Sequence, residues 1–177
     1  AAMVTEKLPW SEATAGWIRD AMDAEVPLFG VCYGHQLMTH ALGGRVDYLP
    51  GGREIGTQMI EVTADQAHDP LGGSLPARFR AHTTHEQSVL EPPAGARVLA
   101  SSARDPHQLL RYGSKAISVQ FHPEFNADVM RAYIRRKHHD LHREGADPAR
   151  IYGAVSATPV ARRLLRRFAR QHGWSGD

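Results

Sequence analysis

Cys32 is the one cysteine in 177 residues, and it sits in the run Gly30-Val31-Cys32-Tyr33-Gly34. A nucleophile between two glycines, where an apolar run gives way to a helical segment, is the G-x-S-x-G elbow with sulfur in place of oxygen. The turn is tight, and flanking glycines keep side chains away from the neighbouring backbone. The thiol stands at a helix N-terminus, where unpaired amides and the helix dipole favour the thiolate. A lone cysteine is most often a small buried apolar residue. The strand–turn–helix setting assigns this one to covalent, nucleophilic chemistry instead. Such a nucleophile needs a base. Of eleven histidines, His122 is set apart by its surroundings: it ends the strand pattern Lys115–Phe121 and is followed by Pro123 and Glu124. Proline cannot continue the ladder, and residues two apart on extended chain face the same way. His122 and Glu124 can therefore address one site, with Cys32 as nucleophile, His122 as base and Glu124 as the orienting acid.

These residues require a frame, and the patterning supplies one. Trp10, Trp17, Ile18, Ala21 and Met22 share a helical face, which predicts an amphipathic helix over residues 11–24. Residues 26–31, Val-Pro-Leu-Phe-Gly-Val, form the short apolar run of a buried parallel strand. A second helix follows the elbow, with Leu37, Met38, Ala41 and Leu42 on one face and Gly43-Gly44 as its stop. Residues 55–63, 97–101, 108–112 and 115–121 are strand candidates, the last two joined by a tight turn at Gly113-Ser114. Beyond Glu124 the chain is helical. Asn126, Asp147-Pro148 and Thr158-Pro159 are helix starts, and Val160, Leu164, Leu165 and Phe168 form the buried stripe of the last helix. The order predicts an α/β fold with a central, mostly parallel sheet. Only one parallel strand precedes the β-rich middle, too thin a sheet to cover its helices. The expectation is that N-terminal strands are absent from this chain.

Composition is that of an ordinary globular domain, 42% hydrophobic and 23% charged. No apolar run approaches the roughly 20 residues of a membrane span. A single cysteine excludes an internal disulfide within these residues and fits a reducing, cytoplasmic setting. Charge is uneven: residues 1–130 carry 10 Lys/Arg against 15 Asp/Glu, and residues 131–177 carry 11 against 4. The basic residues of the tail alternate with apolar ones at helical spacing and lack interleaved aromatics. That reads as a solvated helix face, not a nucleic-acid surface. His82 and His85 lie three apart on extended chain and face opposite ways, so a metal site there is disfavoured. His138 and His142 read as part of the basic face, and His35 as local structure. Gly43-Gly44 and Gly51-Gly52 lack the lysine and the strand–helix context of a phosphate loop.

Taken together, Gly-Val-Cys-Tyr-Gly-His-Gln at 30–36, Thr-His-Glu-Gln-Ser-Val at 84–89 and Gln-Phe-His-Pro-Glu-Phe at 120–125 resemble a class I glutamine amidotransferase domain, in the manner of GMP synthase glutaminase domains and their stand-alone relatives. The resemblance covers most of residues 3–135. It implies a flavodoxin-like fold and hydrolysis of a γ-glutamyl amide by Cys32, His122 and Glu124. It also implies substrate contacts from Gln36, Thr84 and His85. The amide of Tyr33 is one oxyanion donor, as elbow geometry also requires. The second donor is expected from a loop at or just before residue 1, some two β-α steps, roughly 50 residues, being absent. No metal and no organic cofactor is implied. Residues 1–135 are expected to form the glutaminase domain and residues 136–177 a basic helical extension packed on it.

The sequence departs from the GMP synthase pattern at His85-Glu86-Gln87, which replaces His-Gly-Asp, and in lacking a synthetase domain. Ammonia would have to reach an acceptor synthase on another chain. Three readings stand: a glutaminase, a γ-glutamyl peptidase or hydrolase with the same triad, and a catalytically silent regulatory or scaffold subunit. The partner expected is a small-molecule substrate, with neither nucleic acid nor membrane.

Overall fold

The structure, a computed structural model, describes residues 2–63 and 69–174. Six strands form the main sheet in the order β1 (Leu28–Val31), β8 (Ala116–Val119), β7 (Leu109–Arg111), β6 (Arg97–Ser101), β3 (Glu54–Val62), β4 (Arg78–His85). A small second sheet pairs β2 (Arg45–Tyr48) with β5 (Gln87–Glu91). Among the described residues parallel pairing is confined to β1 and β8; the other pairs are antiparallel. The reason lies in the connections. Strands joined by short turns, as β7 is to β8 through Gly113, fold back antiparallel, whereas parallel strands need a crossover. β1 is an edge strand among the described residues, with β8 as its neighbour. No described helix is long and apolar enough to cross a membrane.

The helix α1 (Pro9–Asp23) opens on a proline at its first turn, where no N–H is missed. It buries Ser11, Ala15, Ile18 and Ala21 against α2 (Tyr33–Ala41). Trp10 and Trp17, grouped by periodicity with the buried face, are instead 52% and 57% exposed. Small residues let the two helices approach, and the indoles are left outside, Trp10 stacking on Tyr33.

Among the described residues four helices follow Glu124: α3 (Ala127–Arg136), α4 (His138–Arg143), α5 (Pro148–Gly153) and α6 (Pro159–Gln171). Asn126 caps α3 by accepting from the Val129 amide, and Asp147 caps α5 by accepting from Ala149 and Arg150. Thr158 precedes α6 without a side-chain cap. Leu164 and Phe168 of α6 pack with Ile60, Phe79, Val119 and Phe121 of the sheet. Met130 and Ile134 of α3 pack with Leu141 and with Ile55 of β3. The first core clamps the β8 end that carries His122; the second holds β3 against the C-terminal helices.

Candidate active site

Cys32 lies between β1 and α2 with φ +48° and ψ −97°, a strained conformation for any residue with a side chain. Two bonds hold it there. Its N–H donates to the Val119 carbonyl at 2.9 Å, extending the β1–β8 ladder, and its carbonyl accepts from Gln36 N at 3.1 Å, opening the helix. Gly30 makes room: a Cβ there would meet Met38 Sδ at 2.7 Å and the Gly34 backbone at 2.9 Å. Gly34 differs from the sequence expectation, because a Cβ at that position meets nothing within 4 Å.

β8 ends at Val119, two residues short of the predicted strand, but the chain runs on extended. Gln120 N–H donates to the Gln108 carbonyl, and His122 N–H to the His82 carbonyl at 2.8 Å. That anchors the imidazole. His122 Nδ1 donates to Glu124 Oε1 at 2.7 Å, and the ring stacks on Phe125 with centroids 4.2 Å apart. Nε2 is buried and makes no well-aligned hydrogen bond. Burial by itself lowers the pKa of the imidazole. Interaction with the Cys32 sulfur and the bond to Glu124 outweigh it and push His122 up to about 9. The structure thus brings Cys32, His122 and Glu124 together, with a cationic imidazole between sulfur and carboxylate at neutral pH.

Gln120 is a participant that sequence reasoning quoted without giving it a role. Its amide donates to Cys32 Sγ at 3.5 Å, while its Oε1 accepts from Gln36 Nε2 at 3.0 Å. Gln36 also donates to the Gln87 carbonyl at 2.6 Å. Gln36 therefore reaches the site as a brace tying α2 to β5 and Gln120. Tyr33 turns its hydroxyl to Ser11 at 2.8 Å, away from the sulfur. Its N–H is at the first position of α2, one of the amides a helix leaves without an internal partner. The expected second oxyanion donor falls outside the described residues; Ala2 and Met3 line the same cavity as Cys32.

Thr84 and His85 also line that cavity, which measures about 190 Å³. The His85 side chain, however, points inward: Nδ1 donates to the Gln87 carbonyl and Nε2 bonds Glu54 Oε2, each at 2.9 Å, with both side chains about 1% exposed. Only the backbone at 85 is left to meet a ligand. Three further residues on the cavity had no signal in sequence: Arg53, Tyr133 and Lys137. Arg53 pairs with Glu86 at 2.5 Å and with both oxygens of Glu144. Burial lowers its pKa, but these carboxylates override that and raise it. Tyr133 and Lys137 arrive from the end of α3, so the basic C-terminal segment contributes to the cavity.

The other candidates are accounted for locally. His35 is fully buried, with Nδ1 at 2.6 Å from Ser118 Oγ; burial, with help from His85, lowers its pKa to about 3 and keeps it neutral. His82 bonds Thr57 through Nδ1 at 3.2 Å and lies beneath His122; burial and the His122 charge lower its pKa. His138 and His142 lie on the short helix α4.

Comparison with known proteins gives a consistent picture. Residues 7–140 match the family model described as glutamine amidotransferase class-I. A GMP synthase (glutamine-hydrolyzing) of Thermomicrobium roseum is 39% identical over 104 residues, 58% of this chain and 19% of that protein. Gamma-glutamyl peptidase 5 of Arabidopsis thaliana is 28% identical over 116 residues, 64% of this chain and 46% of the relative. The chain thus spans about a fifth of the GMP synthase and about half of the peptidase. Among solved structures, a glutamine amidotransferase from Thermotoga maritima superposes with a TM-score of 0.80 at 25% identity, covering 97% of this chain and 74% of that one.

Proposed function

The chain belongs to the class I glutamine amidotransferase family, and from that premise we propose that it hydrolyses the side-chain amide of glutamine to glutamate and ammonia through a γ-glutamyl thioester on Cys32. The observation that carries this reading is the His122 imidazole held between Glu124 and the Cys32 sulfur with its pKa raised to about 9. At neutral pH the sulfur therefore faces an imidazolium. The sulfur attacks the amide carbon, and the oxyanion is received by the Tyr33 amide and by a second amide near residue 1. Imidazolium His122 protonates the departing nitrogen, so the C–N bond breaks and ammonia leaves. The now neutral His122 takes a proton from water, hydroxide opens the thioester, and glutamate is released with the thiolate restored. Glu124 orients the ring and stabilises its charged form throughout. No step calls for a metal or organic cofactor.

A second reading, γ-glutamyl peptidase or hydrolase, uses the same groups on a larger leaving amine; the likeness to an Arabidopsis peptidase favours keeping it. A silent regulatory or scaffold role is opposed by the intact Cys32, His122 and Glu124. Released ammonia would pass to an acceptor synthase, a partner that the likeness to a GMP synthase supports. A thiol that must stay free supports a reducing, cytoplasmic setting for this chemistry. The test is incubation with 6-diazo-5-oxo-L-norleucine, a glutamine-like electrophile, followed by peptide mass spectrometry. Stoichiometric modification of Cys32 with loss of ammonia release is expected; an unmodified Cys32 in folded protein would sink the proposal.

A further inference from the structure

His122, Pro123, Glu124 and Phe125 form one turn. The Phe125 N–H donates to the His122 carbonyl at 3.3 Å and closes it. Pro123 takes the second position, which suits its fixed φ. Such a closure brings the fourth residue back to the first. Four consecutive residues thus deliver the imidazole, the carboxylate bonded to its Nδ1 and an aromatic ring laid against it. The Phe125 ring lies 18° from parallel to the imidazole, with centroids 4.2 Å apart. Asn126, the next residue, caps α3, and Tyr133 of that helix stands 5.2 Å from Phe125 between centroids. The turn, the cap and Tyr133 together fix where the Phe125 ring sits.

The hydrolysis proposed above gives this ring no part, yet its chemistry is specific. A benzene face carries the negative side of the ring quadrupole and attracts a cation within about 6 Å of its centroid, most strongly where water is excluded. The His122 side chain is only 13% exposed. A saturated apolar cover of the same bulk does the reverse. It strips water from the cation, returns nothing and favours the neutral imidazole. The two roles therefore move the proton affinity of His122 in opposite directions.

We propose that Phe125 is a positioning residue for that hydrolysis, its ring face holding His122 and favouring the imidazolium. The cation is consumed as the nitrogen departs and re-formed as His122 takes a proton from water, so the ring favours the opening of the thioester. The other groups around His122 are Glu124 on its own turn, Cys32 at the start of α2, and His82 on β4, which burial and the His122 charge push toward its neutral form. Tyr133 and Lys137 of the α3 end, and the paired Arg53 and Glu86, line the same cavity. Phe125 is uncharged, and replacing it leaves each of these groups in place.

Histidine-ring NMR titration in the Cys32→Ser protein keeps the ionisation of the thiol out of the curve, with His122 assigned by the loss of its signal in His122→Gln. Phe125→Leu keeps the apolar bulk and removes the face. Pentafluorophenylalanine incorporated at position 125 keeps the ring and reverses the charge of its face, and it serves if the leucine variant does not fold. Each should lower the His122 pKa by about one pH unit, roughly tenfold in the protonation equilibrium. Phe125→Tyr, which retains the face, should leave it in place. A pKa unchanged or raised in the leucine and fluorinated proteins would overturn the proposal. On the Cys32-containing chain Phe125→Leu should lower kcat for ammonia release about tenfold, with KM falling alongside, and Phe125→Tyr should restore it. A lowered pKa with kcat unchanged would overturn the part given to Phe125 in the reaction. The titration is read without turnover. A pKa lowered as expected in a chain that releases no ammonia from glutamine would support the ring contact while overturning the hydrolytic reading.

Discussion

The side-chain amide of Gln120 lies 3.5 Å from the sulfur of Cys32, while its oxygen accepts from Gln36 on the helix that Cys32 opens. One residue thus spans the two elements that must stay in register, the end of β8 and the start of α2. Gln120→Leu removes both bonds and leaves the Gln36 amide with the Gln87 carbonyl alone. An unsatisfied buried amide costs about 1–3 kcal/mol. The variant should fold with a lower urea midpoint and release ammonia about tenfold more slowly, a misplaced nucleophile being the cause. Unchanged kcat would show that Gln120 does not position Cys32.

Cys32→Ser should reduce ammonia release below about 1% with the circular dichroism spectrum unchanged, a hydroxyl being a far weaker nucleophile at neutral pH. Activity near the wild-type level would remove Cys32 from the mechanism.

His122→Ala should cost on the order of 10–100-fold more activity than Glu124→Gln, because the imidazole moves the proton whereas the carboxylate orients it. Steady-state rates of ammonia release for the two variants decide the order. A larger loss from Glu124→Gln would reverse the assigned roles.

The raised pKa of His122, about 9 against the ordinary 6.5, makes a pH prediction with a definite sign. A group whose folded pKa is raised contributes stability that is fully present below its unfolded pKa. That contribution is lost as pH rises through the folded one. The His122 contribution should therefore be complete below about 6.5 and gone above about 9. In Glu124→Gln the upper limit should move down, since one of the two partners holding the cation is missing. Urea midpoints between pH 6 and 10 for both proteins test this; identical profiles would count against the Glu124 contact.

Gly30→Ala and Gly34→Ala should behave oppositely, although both flank the elbow. An alanine Cβ at 30 collides with Met38 and with Gly34 backbone, and overpacking of this kind costs about 1–3 kcal/mol. At 34 the space is open, and replacing a helical glycine gains about 0.5–1 kcal/mol. Denaturation midpoints should fall for the first and hold or rise for the second.

Much of the site could be read from sequence because its decisive parts are local. The elbow compresses strand, turn and helix start into five residues, and His122-Pro123-Glu124 places an imidazole and a carboxylate two positions apart. Strands whose inward residues are polar escaped detection. β4 carries Arg78, His82, Thr83, Thr84 and His85, and buries several of them through hydrogen bonds to Thr57, Glu54 and Gln87. Hydropathy sees those residues as solvated. Glu54 escaped for the same reason: a carboxylate about 1% exposed is explained by His85, Ser102 and Gln108, partners 31 to 54 positions away. The tryptophans of α1 misled in the other direction, since period records which residues share a face and not which face is covered. Arg53 and Lys137 join the cavity through tertiary packing, which no spacing rule encodes.

The single thiol of these 177 residues also sets how the site answers to oxidants. Peroxides convert a reactive cysteine to sulfenic acid, and a sulfenic acid is ordinarily rescued by condensing with a second thiol. No resolving cysteine lies within these residues, so rescue of an oxidised Cys32 draws on a thiol from outside them, failing which it proceeds to the irreversible sulfinic state. Within these residues the same solitude makes thiol titration a direct count: any thiol reagent consumed by them reports on Cys32 alone.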